Sequence, residues 1–351
     1  MKASTYIKIT IAGIILLLGA FAGINIYVDP LFHYHGPTKA LEYPLYDERY
    51  MNYGIAKHFD YDSIITGTSM TQNFKASQWD NYFGTKSIKT PFSGASYKEV
   101  NDLLICAFEH KDSIRTVMRS LDPTMLIMEK EEMDYADYPD YLYDKNIFND
   151  VNYVLNKDIF FKFTEYVYTF NDLGGVTTNF DTYKNWAGLY PIGETYVRES
   201  FTRREKKEEI AVLSEDDIRK INENLEANVI GLVRENPQTE FYLFFPPYSI
   251  FYWDDLWQEG ETVRILDAHQ LAIEKLLEYE NIKLFSFMNV PEITCNLNYY
   301  KDSLHYNQEI SDLIIDSMAM DSNRLTKENY VDYMNFMRGF YLSVDYDALF
   351  N

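Results

Sequence analysis

The chain has little cysteine and little positive charge. Its 351 residues include two cysteines, Cys106 and Cys295, which are too few for a disulfide scaffold. They either pair with each other in an oxidising compartment or remain two buried thiols. The 32 lysines and arginines are outnumbered by 54 aspartates and glutamates, for a formal net charge of −22. This excess of negative charge disfavours nucleic acid and anionic lipid as partners, because a polyanion would be repelled.

Motifs for phosphate and metal binding are lacking as well. There is no glycine-rich loop followed by a lysine and no cysteine pair at the spacing of a zinc site. His33 and His35 flank Tyr34, but two alternating histidines alone are a weak indication of a metal. With Tyr27 and Phe32 they are more typical of side chains that anchor a chain at a membrane interface. We therefore expect neither a metal nor another cofactor.

A long apolar run lies near the N-terminus, from Ile9 to Val28, with Thr10 and Asn25 as its clearly polar side chains. At about 1.5 Å per residue, these roughly 20 residues reach about 30 Å, the thickness of one bilayer core. Lys2 and Lys8 precede the run, so the lysine bias places the N-terminus in the cytoplasm and the rest of the chain outside. The run predicts a single-pass anchor in the cell membrane with an extracytoplasmic domain.

A cleaved signal peptide is the competing interpretation. The tripeptide Ala20-Phe21-Ala22 offers a small-residue cleavage site after a short apolar stretch. The apolar run continues through Ile24, Ile26 and Val28, which favours an uncleaved anchor. Both interpretations export the domain that follows.

The exported part alternates strand-like apolar runs with helix-like periodicity. This alternation predicts an α/β fold, with three α/β/α layers around a mainly parallel five-stranded sheet. The predicted strands are Ser63–Thr66, Thr85–Thr90, Ile114–Leu121, Glu240–Phe245 and Ile282–Phe287. The predicted helices begin at the capping box Ser96-Tyr97-Lys98-Glu99, at Ser214 with Asp217, and near Glu261, the last ending near Glu280.

The third and fourth predicted strands lie too far apart for a single crossover helix. We therefore predict a partly helical insertion between them, since a structureless loop of that length is uncommon. The predicted domain organisation is a cytoplasmic N-terminus 1–8, an anchor 9–28, a juxtamembrane segment 29–57, a core in two parts 58–122 and 214–320, the insertion 123–213, and a C-terminal extension 321–351.

The first motif with chemical content is I-I-T-G-T-S-M, Ile64 to Met70. Gly67 and Thr68 turn the chain after the first predicted strand, so Ser69 lies at the carboxyl edge of the sheet, where ligands of open α/β sheets bind. Ser69 with Gln72 also matches a helix capping box. A serine that only caps a helix would show the same pattern.

The second motif is Asp302-Ser303-Leu304-His305, which follows the fifth predicted strand. Together the two motifs offer Ser69 as a nucleophile, His305 as its general base and Asp302 as the carboxylate that orients the base. These are the three roles that acyl transfer through serine requires. In the alternative interpretation Asp302 caps a turn and His305 is an ordinary surface histidine.

The two motifs resemble those of the SGNH (GDSL-like) hydrolase superfamily, which carries its nucleophilic serine in Gly-Asp-Ser and ends in Asp-x-x-His. Gly67-Thr68-Ser69 has threonine in place of the aspartate, as in membrane-anchored relatives that modify cell-surface polymers. The resemblance covers residues 58–122 and 214–320. It implies an oxyanion hole to which Ser69 and Gly94 contribute, since Pro91-Phe92-Ser93-Gly94 matches the position of the second block.

The chain departs from this family in the third block. Gly-x-Asn-Asp is usual there, and its asparagine supplies another oxyanion donor, whereas this chain has Arg119-Ser120-Leu121-Asp122-Pro123. Loss of one such donor typically costs about 2.7–4 kcal/mol of transition-state stabilisation. The departure implies a slow site, a differently built site or an inactive one.

The anchor and the motifs together resemble the D-alanyl transfer proteins of teichoic acid modification and the alginate-type O-acetylation proteins. This resemblance implies a serine esterase or O-acyltransferase that acts on acetyl or D-alanyl esters of a cell-surface polysaccharide or teichoic-type polymer, through an acyl-Ser69 intermediate. The implied partner is a membrane-bound O-acyltransferase that delivers the acyl group. The alternative is a weak or inactive glycan-binding or scaffold subunit of a polymer acylation or export complex.

Overall fold

A six-stranded sheet organises the larger of the two units into which the chain divides. The structure, a computed structural model, describes residues 3–133, 135 and 139–350. The smaller unit comprises Met1–Phe59 and Asp137–Asn179, and the larger comprises Asp60–Ala136 and Phe180–Asn351. Lys2 and positions 134 and 136–138 of the predicted insertion lie outside the described residues.

The sheet confirms the predicted α/β fold. Its strands are β1 (Ser63–Gly67), β2 (Ser87–Pro91), β3 (Thr116–Ser120), β4 (Glu240–Phe245), β5 (Ile282–Ser286) and β6 (Arg324–Leu325). They lie in the order β2-β1-β3-β4-β5-β6, and β1 to β5 are parallel. The predicted count of five strands is one too low, because the antiparallel β6 has two residues and leaves no periodic pattern in the sequence.

Helices flank the strands and also build the smaller unit. The α-helices are α1 (Ala3–Val28), α2 (Glu48–His58), α3 (Ala76–Phe83), α4 (Tyr97–His110), α5 (Val151–Val154), α6 (Glu165–Asp172), α7 (Glu194–Ser200), α8 (Glu215–Leu225), α9 (Gly231–Glu235), α10 (Ile250–Gln258), α11 (Thr262–Leu276), α12 (Pro291–Thr294), α13 (Gln308–Ala319) and α14 (Tyr330–Tyr341). Shorter 3₁₀ segments cover Ser69–Thr71, Pro123–Ile127, Asp140–Leu142, Leu297–Tyr299 and Asp347–Phe350, and π-helical turns cover Ile159–Thr164 and Glu226–Ile230.

The register of the sheet brings the strand ends that precede the predicted motifs to one edge. Ile64 of β1 lies opposite Ile88 of β2 and Val117 of β3. All five residues of β1, of β2 and of β3 are buried, so these strands are covered on both faces, although buried Lys89 and Arg119 lie among them. The chain leaves each of these parallel strands at the same carboxyl edge, which is where Ser69 follows β1.

The predicted capping boxes form as the sequence indicates. Ser96 Oγ accepts from the backbone N–H of Glu99, whose carboxylate accepts from the Ser96 N–H, so α4 begins with both bonds of the box in place. Ser214 and Asp217 start α8 in the same way. The helix predicted from Glu261 to Glu280 is shorter, since α11 ends at Leu276.

In the smaller unit, α1 is a single helix long and apolar enough to cross a bilayer, with a mean hydropathy of 2.3 over its most apolar window. A signal sequence would have the same length and composition. The helix ends where Asp29 adopts a left-handed backbone, φ 42°. The Asp29 carboxylate accepts backbone hydrogen bonds from the next residues, His33 (3.0 Å), Tyr34 (2.8 Å) and His35 (2.7 Å). The histidines thus belong to a turn that terminates the helix.

The described residues contain no disulfide bond. Cys106 is buried within α4, and Cys295 is exposed after α12. The structure therefore agrees with the interpretation in which both cysteines remain thiols, although only Cys106 is buried.

Candidate active site

The turn after β1 is built so that Ser69 projects from the sheet edge. Gly67 ends the strand with φ 139°, and a Cβ at this position would lie 2.3 Å from Ser120 Oγ. Only glycine satisfies both the backbone angle and the close approach. The buried Thr68 side chain then accepts a hydrogen bond from the Met70 N–H (3.3 Å) and starts the 3₁₀ turn.

Thr68, rather than Ser69, is therefore the capping residue at this turn. The alternative in which Ser69 and Gln72 form a capping box is wrong, because Ser69 is already the first residue inside the 3₁₀ segment. The Ser69 hydroxyl is therefore available to bond a residue elsewhere in the larger unit.

The three predicted residues Ser69, His305 and Asp302 lie in one hydrogen-bonded chain. Ser69 Oγ is 2.8 Å from His305 Nε2. The other ring nitrogen, His305 Nδ1, is 2.9 Å and 2.8 Å from the two oxygens of Asp302. Since the carboxylate accepts the Nδ1–H, the tautomer that this bond selects leaves Nε2 free to accept the serine proton.

The Asp302 carboxylate is held in its ionised form. Burial raises the pKa of this group, but hydrogen bonds from the His305 ring and from the backbone amides of His305 and Leu304 outweigh burial and lower the pKa to about 2. The Lys301 ammonium adds a positive charge 3.6 Å from Asp302 Oδ2. A carboxylate that is charged near neutral pH favours the imidazolium that forms when His305 takes up a proton.

Two buried tyrosines fix the loop that carries His305. Tyr300 and Tyr306 pair across an isolated antiparallel bridge, which closes the loop between them. The Tyr306 hydroxyl donates to the Met70 carbonyl (2.7 Å), one residue after Ser69. The Tyr300 hydroxyl donates to the Pro247 carbonyl (2.7 Å), just after β4. The loop that carries His305 is therefore tied directly to the turn that carries Ser69.

A narrow cleft lies at this pair, and its walls approach too closely to enclose a water molecule. It is lined by Ser69, Met70, Asn73, Trp186, His305 and Tyr306. The Trp186 ring meets the His305 ring edge-on, with centroids 6.2 Å apart. Lys301 lies over the Trp186 ring at 4.9 Å, so an aromatic and cationic wall borders the catalytic histidine candidate.

Asn73 and Trp186 were not among the residues singled out from the sequence. Asn73 lies four positions after Ser69, and this short separation in the sequence is the only sign that it could lie beside the Ser69 hydroxyl. Trp186 lies within the predicted insertion, and no pattern in the sequence links it to His305.

The third-block residue Asp122 lies behind the nucleophile turn rather than in the cleft. Its carboxylate accepts hydrogen bonds from Thr68 Oγ1 (2.9 Å) and from the Tyr248 hydroxyl. Burial raises the pKa of Asp122, although these hydrogen bonds act in the opposite direction. Asp122 therefore supports Thr68, and among the described residues it is not one of those that line the cleft.

Gly94, the predicted oxyanion donor after β2, adopts a left-handed backbone conformation, which favours glycine. Its φ is 60°, it is exposed, and it stands two residues before Ser96, the cap of α4. Gln72 Nε2, from the nucleophile segment, donates to the neighbouring Ser93 Oγ (2.7 Å). Gly94 is not among the described residues that line the cleft, and its role as an oxyanion donor stays a prediction.

Comparison with known proteins yields distant structural likenesses. No family model and no curated protein sequence matches the chain. A Streptococcus pneumoniae protein provisionally described as a platelet activating factor aligns with 82% of this chain and 90% of its own, at 11% identity and a TM-score of 0.38. The C-terminal catalytic domain of peptidoglycan O-acetyltransferase A from Streptococcus pneumoniae, solved with a methylsulfonyl adduct, aligns with 76% of this chain and 97% of its own, at 12% identity and a TM-score of 0.31. At these scores neither likeness bears on function.

Proposed function

We propose that this protein is a membrane-anchored, extracytoplasmic serine esterase or O-acyltransferase. In this proposal it acts on acetyl or D-alanyl esters of a cell-surface polysaccharide or teichoic-type polymer, through an acyl-Ser69 intermediate. The observation that carries the proposal is the 2.8 Å contact between Ser69 Oγ and His305 Nε2, with Asp302 behind the ring.

The proposed chemistry follows from that chain of hydrogen bonds. His305 Nε2 takes the proton of Ser69 as its Oγ forms a bond to the acyl carbonyl carbon. His305 then returns the proton to the departing alcohol oxygen as the ester bond breaks, which leaves the acyl group on Ser69. The oxygen of a second hydroxyl or of a water then attacks the acyl carbon as His305 Nε2 takes its proton, and the bond to Ser69 Oγ breaks as His305 returns that proton to Oγ. Which acceptor enters decides between transferase and hydrolase.

Labelling with a fluorophosphonate probe tests the proposal. The full-length protein in detergent is compared with Ser69→Ala, with His305→Ala and with Ser200→Ala, a control at an exposed serine of α7. We expect wild type and Ser200→Ala to label equally, and Ser69→Ala and His305→Ala not to label. Equal labelling of all four proteins would refute the nucleophile, and no labelling of any would favour the non-catalytic scaffold.

A further inference from the structure

Part of the smaller unit packs along the outer end of α1. The Phe21 and Phe160 rings stack at a centroid distance of 4.8 Å. Asn25, which is fully buried, donates from Nδ2 to the Val154 carbonyl (3.1 Å) and accepts from Thr164 Oγ1 (2.9 Å). The helix α5 and the π-helical turn Ile159–Thr164 are thus fixed to the last two turns of the anchor.

Successive residues of this segment contact the chain progressively further from the C-terminal end of α1. Asp150, just before α5, bonds Tyr34 and His33 in the turn beyond the helix end. Val154 then reaches Asn25, and Phe160 reaches Phe21. Because α1 rises about 1.5 Å per residue, Phe21 lies about 10 Å below the helix end at Val28.

Exposed apolar side chains cover this segment. Phe148 is 87% exposed and Phe161 is 62% exposed, and the Phe161 ring contacts Phe160 at 5.1 Å. We name residues 147–164 the anchor collar; its exposed large apolar side chains are Ile147, Phe148, Val151, Leu155 and Phe161. Five exposed large apolar side chains within this short segment, next to an apolar helix, suit a surface that meets lipid.

The charged side chains of the anchor collar are exposed and ion-paired, which suits a position among lipid headgroups. Lys157 and Lys162 are exposed and pair with Asp158 at 3.0 Å and 3.4 Å. Long lysine side chains keep their ammonium at the headgroups while neighbouring rings enter the acyl region. A fully immersed segment would not carry this ion-paired group, and a water-exposed one would not carry the phenylalanines.

We infer that the anchor collar is an interfacial element that inserts its phenylalanines into the outer leaflet of the bilayer beside α1. The alternative is a shift of α1 that lifts Phe21 to the surface. That shift would draw the Lys8 ammonium about 10 Å further into the hydrocarbon, by the same rise per residue, and leave Ile24, Ile26 and Tyr27 in water.

Depth measurements by spin labelling test this inference. The full-length protein, with Cys106→Ala and Cys295→Ser, is placed in phosphatidylcholine nanodiscs and carries one nitroxide at Phe161→Cys. Leu17→Cys, in the middle of α1, and Lys39→Cys, an exposed position, serve as rulers. Accessibility to oxygen and to a water-soluble nickel chelate gives the depth.

We expect the label at position 161 to be shielded from nickel and open to oxygen, as at position 17 but less deep. Nickel accessibility equal to that at position 39 would overturn the inference. So would shielding from both reagents, because that result indicates a protein contact such as a second copy. Phe161 is exposed, so its replacement leaves no cavity, and unchanged thermal unfolding checks the fold.

A second and independent observation concerns Asn73 in the cleft. Asn73 is buried, and its Oδ1 accepts a hydrogen bond from the backbone N–H of Trp186 (3.1 Å). That donor fixes the orientation of the amide, because only the oxygen can accept. Asn73 Nδ2 then has no hydrogen-bond partner among the described residues, although the residue lines the same cleft as Ser69 and His305.

We propose that Asn73 Nδ2 donates to the oxyanion that forms during attack by Ser69. This assignment rests on the proposed function. It places a side-chain donor in the cleft, where the chain lacks the asparagine of the third block. A buried N–H with no partner is costly unless a ligand satisfies it, and a tetrahedral intermediate would do so.

The variant Asn73→Asp tests this role, since it keeps the acceptor for Trp186 and removes the donor. We expect kcat for a small activated ester to fall about 10²–10³-fold with little change in KM. Unchanged kcat would overturn the assignment, and so would a loss accompanied by altered Trp186 fluorescence. Activity retained in Ser69→Ala would instead refute the proposed function itself.

Discussion

The two units of the chain differ in the surroundings of some of their largest apolar side chains. In the larger unit Trp79 and Trp253 are almost completely enclosed, and the central strands are buried throughout. In the smaller unit Phe148 and Phe161 stand exposed beside the anchor helix. The smaller unit also buries Phe32, Tyr43 and Tyr153, but it leaves a group of apolar side chains exposed beside α1, and in our proposal that group meets lipid.

The two units also hold different parts of the molecule in place. The larger unit holds Ser69, His305 and Asp302 by a strand end, a required glycine and buried tyrosines, all of which restrict movement. The smaller unit supplies the contacts that fix α1. The predictions below alter one side of this comparison at a time, from the largest expected effect to the smallest.

Asp302→Asn is expected to lower kcat about 10⁴-fold, because an amide selects the wrong histidine tautomer while keeping its size. Steady-state kinetics with an activated ester measures this. Asp312→Asn, in α13 and away from the cleft lining, is the matched control and should leave the rate unchanged. A loss of less than tenfold in Asp302→Asn would show that Asp302 does not orient His305.

Gly67→Ala is expected to destabilise the larger unit by more than about 2 kcal/mol, from the backbone angle and the contact with Ser120 together. Gly84→Ala, at φ 61° with no atom within 4 Å, should cost about 1 kcal/mol. Chemical denaturation compares the two. Equal losses would contradict a close-packed nucleophile turn.

Asn25→Ala is expected to loosen the smaller unit by about 1–3 kcal/mol, since it leaves Thr164 and the Val154 carbonyl without a partner. Hydrogen exchange of residues 151–164, followed by mass spectrometry, should become faster. Thr10→Ala removes an exposed hydroxyl that bonds only within its own helix and should have no effect. If both variants exchange like wild type, the anchor collar does not depend on α1.

His269→Asn is expected to flatten the pH dependence of stability in the larger unit. Burial lowers the pKa of His269 to about 3. Between about pH 6.5, the ordinary value, and pH 3, the unfolded chain therefore binds a proton that the folded chain does not, so this group reduces stability as the pH falls. The effect is at most about 1.4 kcal/mol per pH unit. Thermal unfolding between pH 7.5 and pH 5 should show a shallower decline in the variant.

Local patterns made much of this fold predictable. The strand Glu240–Phe245 has the predicted bounds because a buried run of strand formers ends there at two prolines. The helix start at Ser96 follows from its capping box, and the end of α1 at Val28 follows from the end of the apolar run.

Contacts distant in sequence account for what could not be predicted. Ser69, His305 and Asp302 are within reach of sequence reasoning because each stands in a short motif, although Asp302 and His305 follow β5 only after α12 and a 3₁₀ segment. Trp186 reaches His305 only through the tertiary fold. The role of Thr68 as cap depends on Asp122, which orients the threonine side chain from a neighbouring strand end.

Detection of the acyl group on Ser69 tests the central claim most directly. The full-length protein is mixed with 4-nitrophenyl acetate, quenched in acid within milliseconds to seconds, digested and analysed by peptide mass spectrometry. We predict an acetyl group on the peptide that contains Ser69, formed in wild type and absent in His305→Ala. An acetylated residue elsewhere with an unmodified Ser69 peptide, or equal acetylation of Ser69 in His305→Ala, would contradict a serine nucleophile activated by His305.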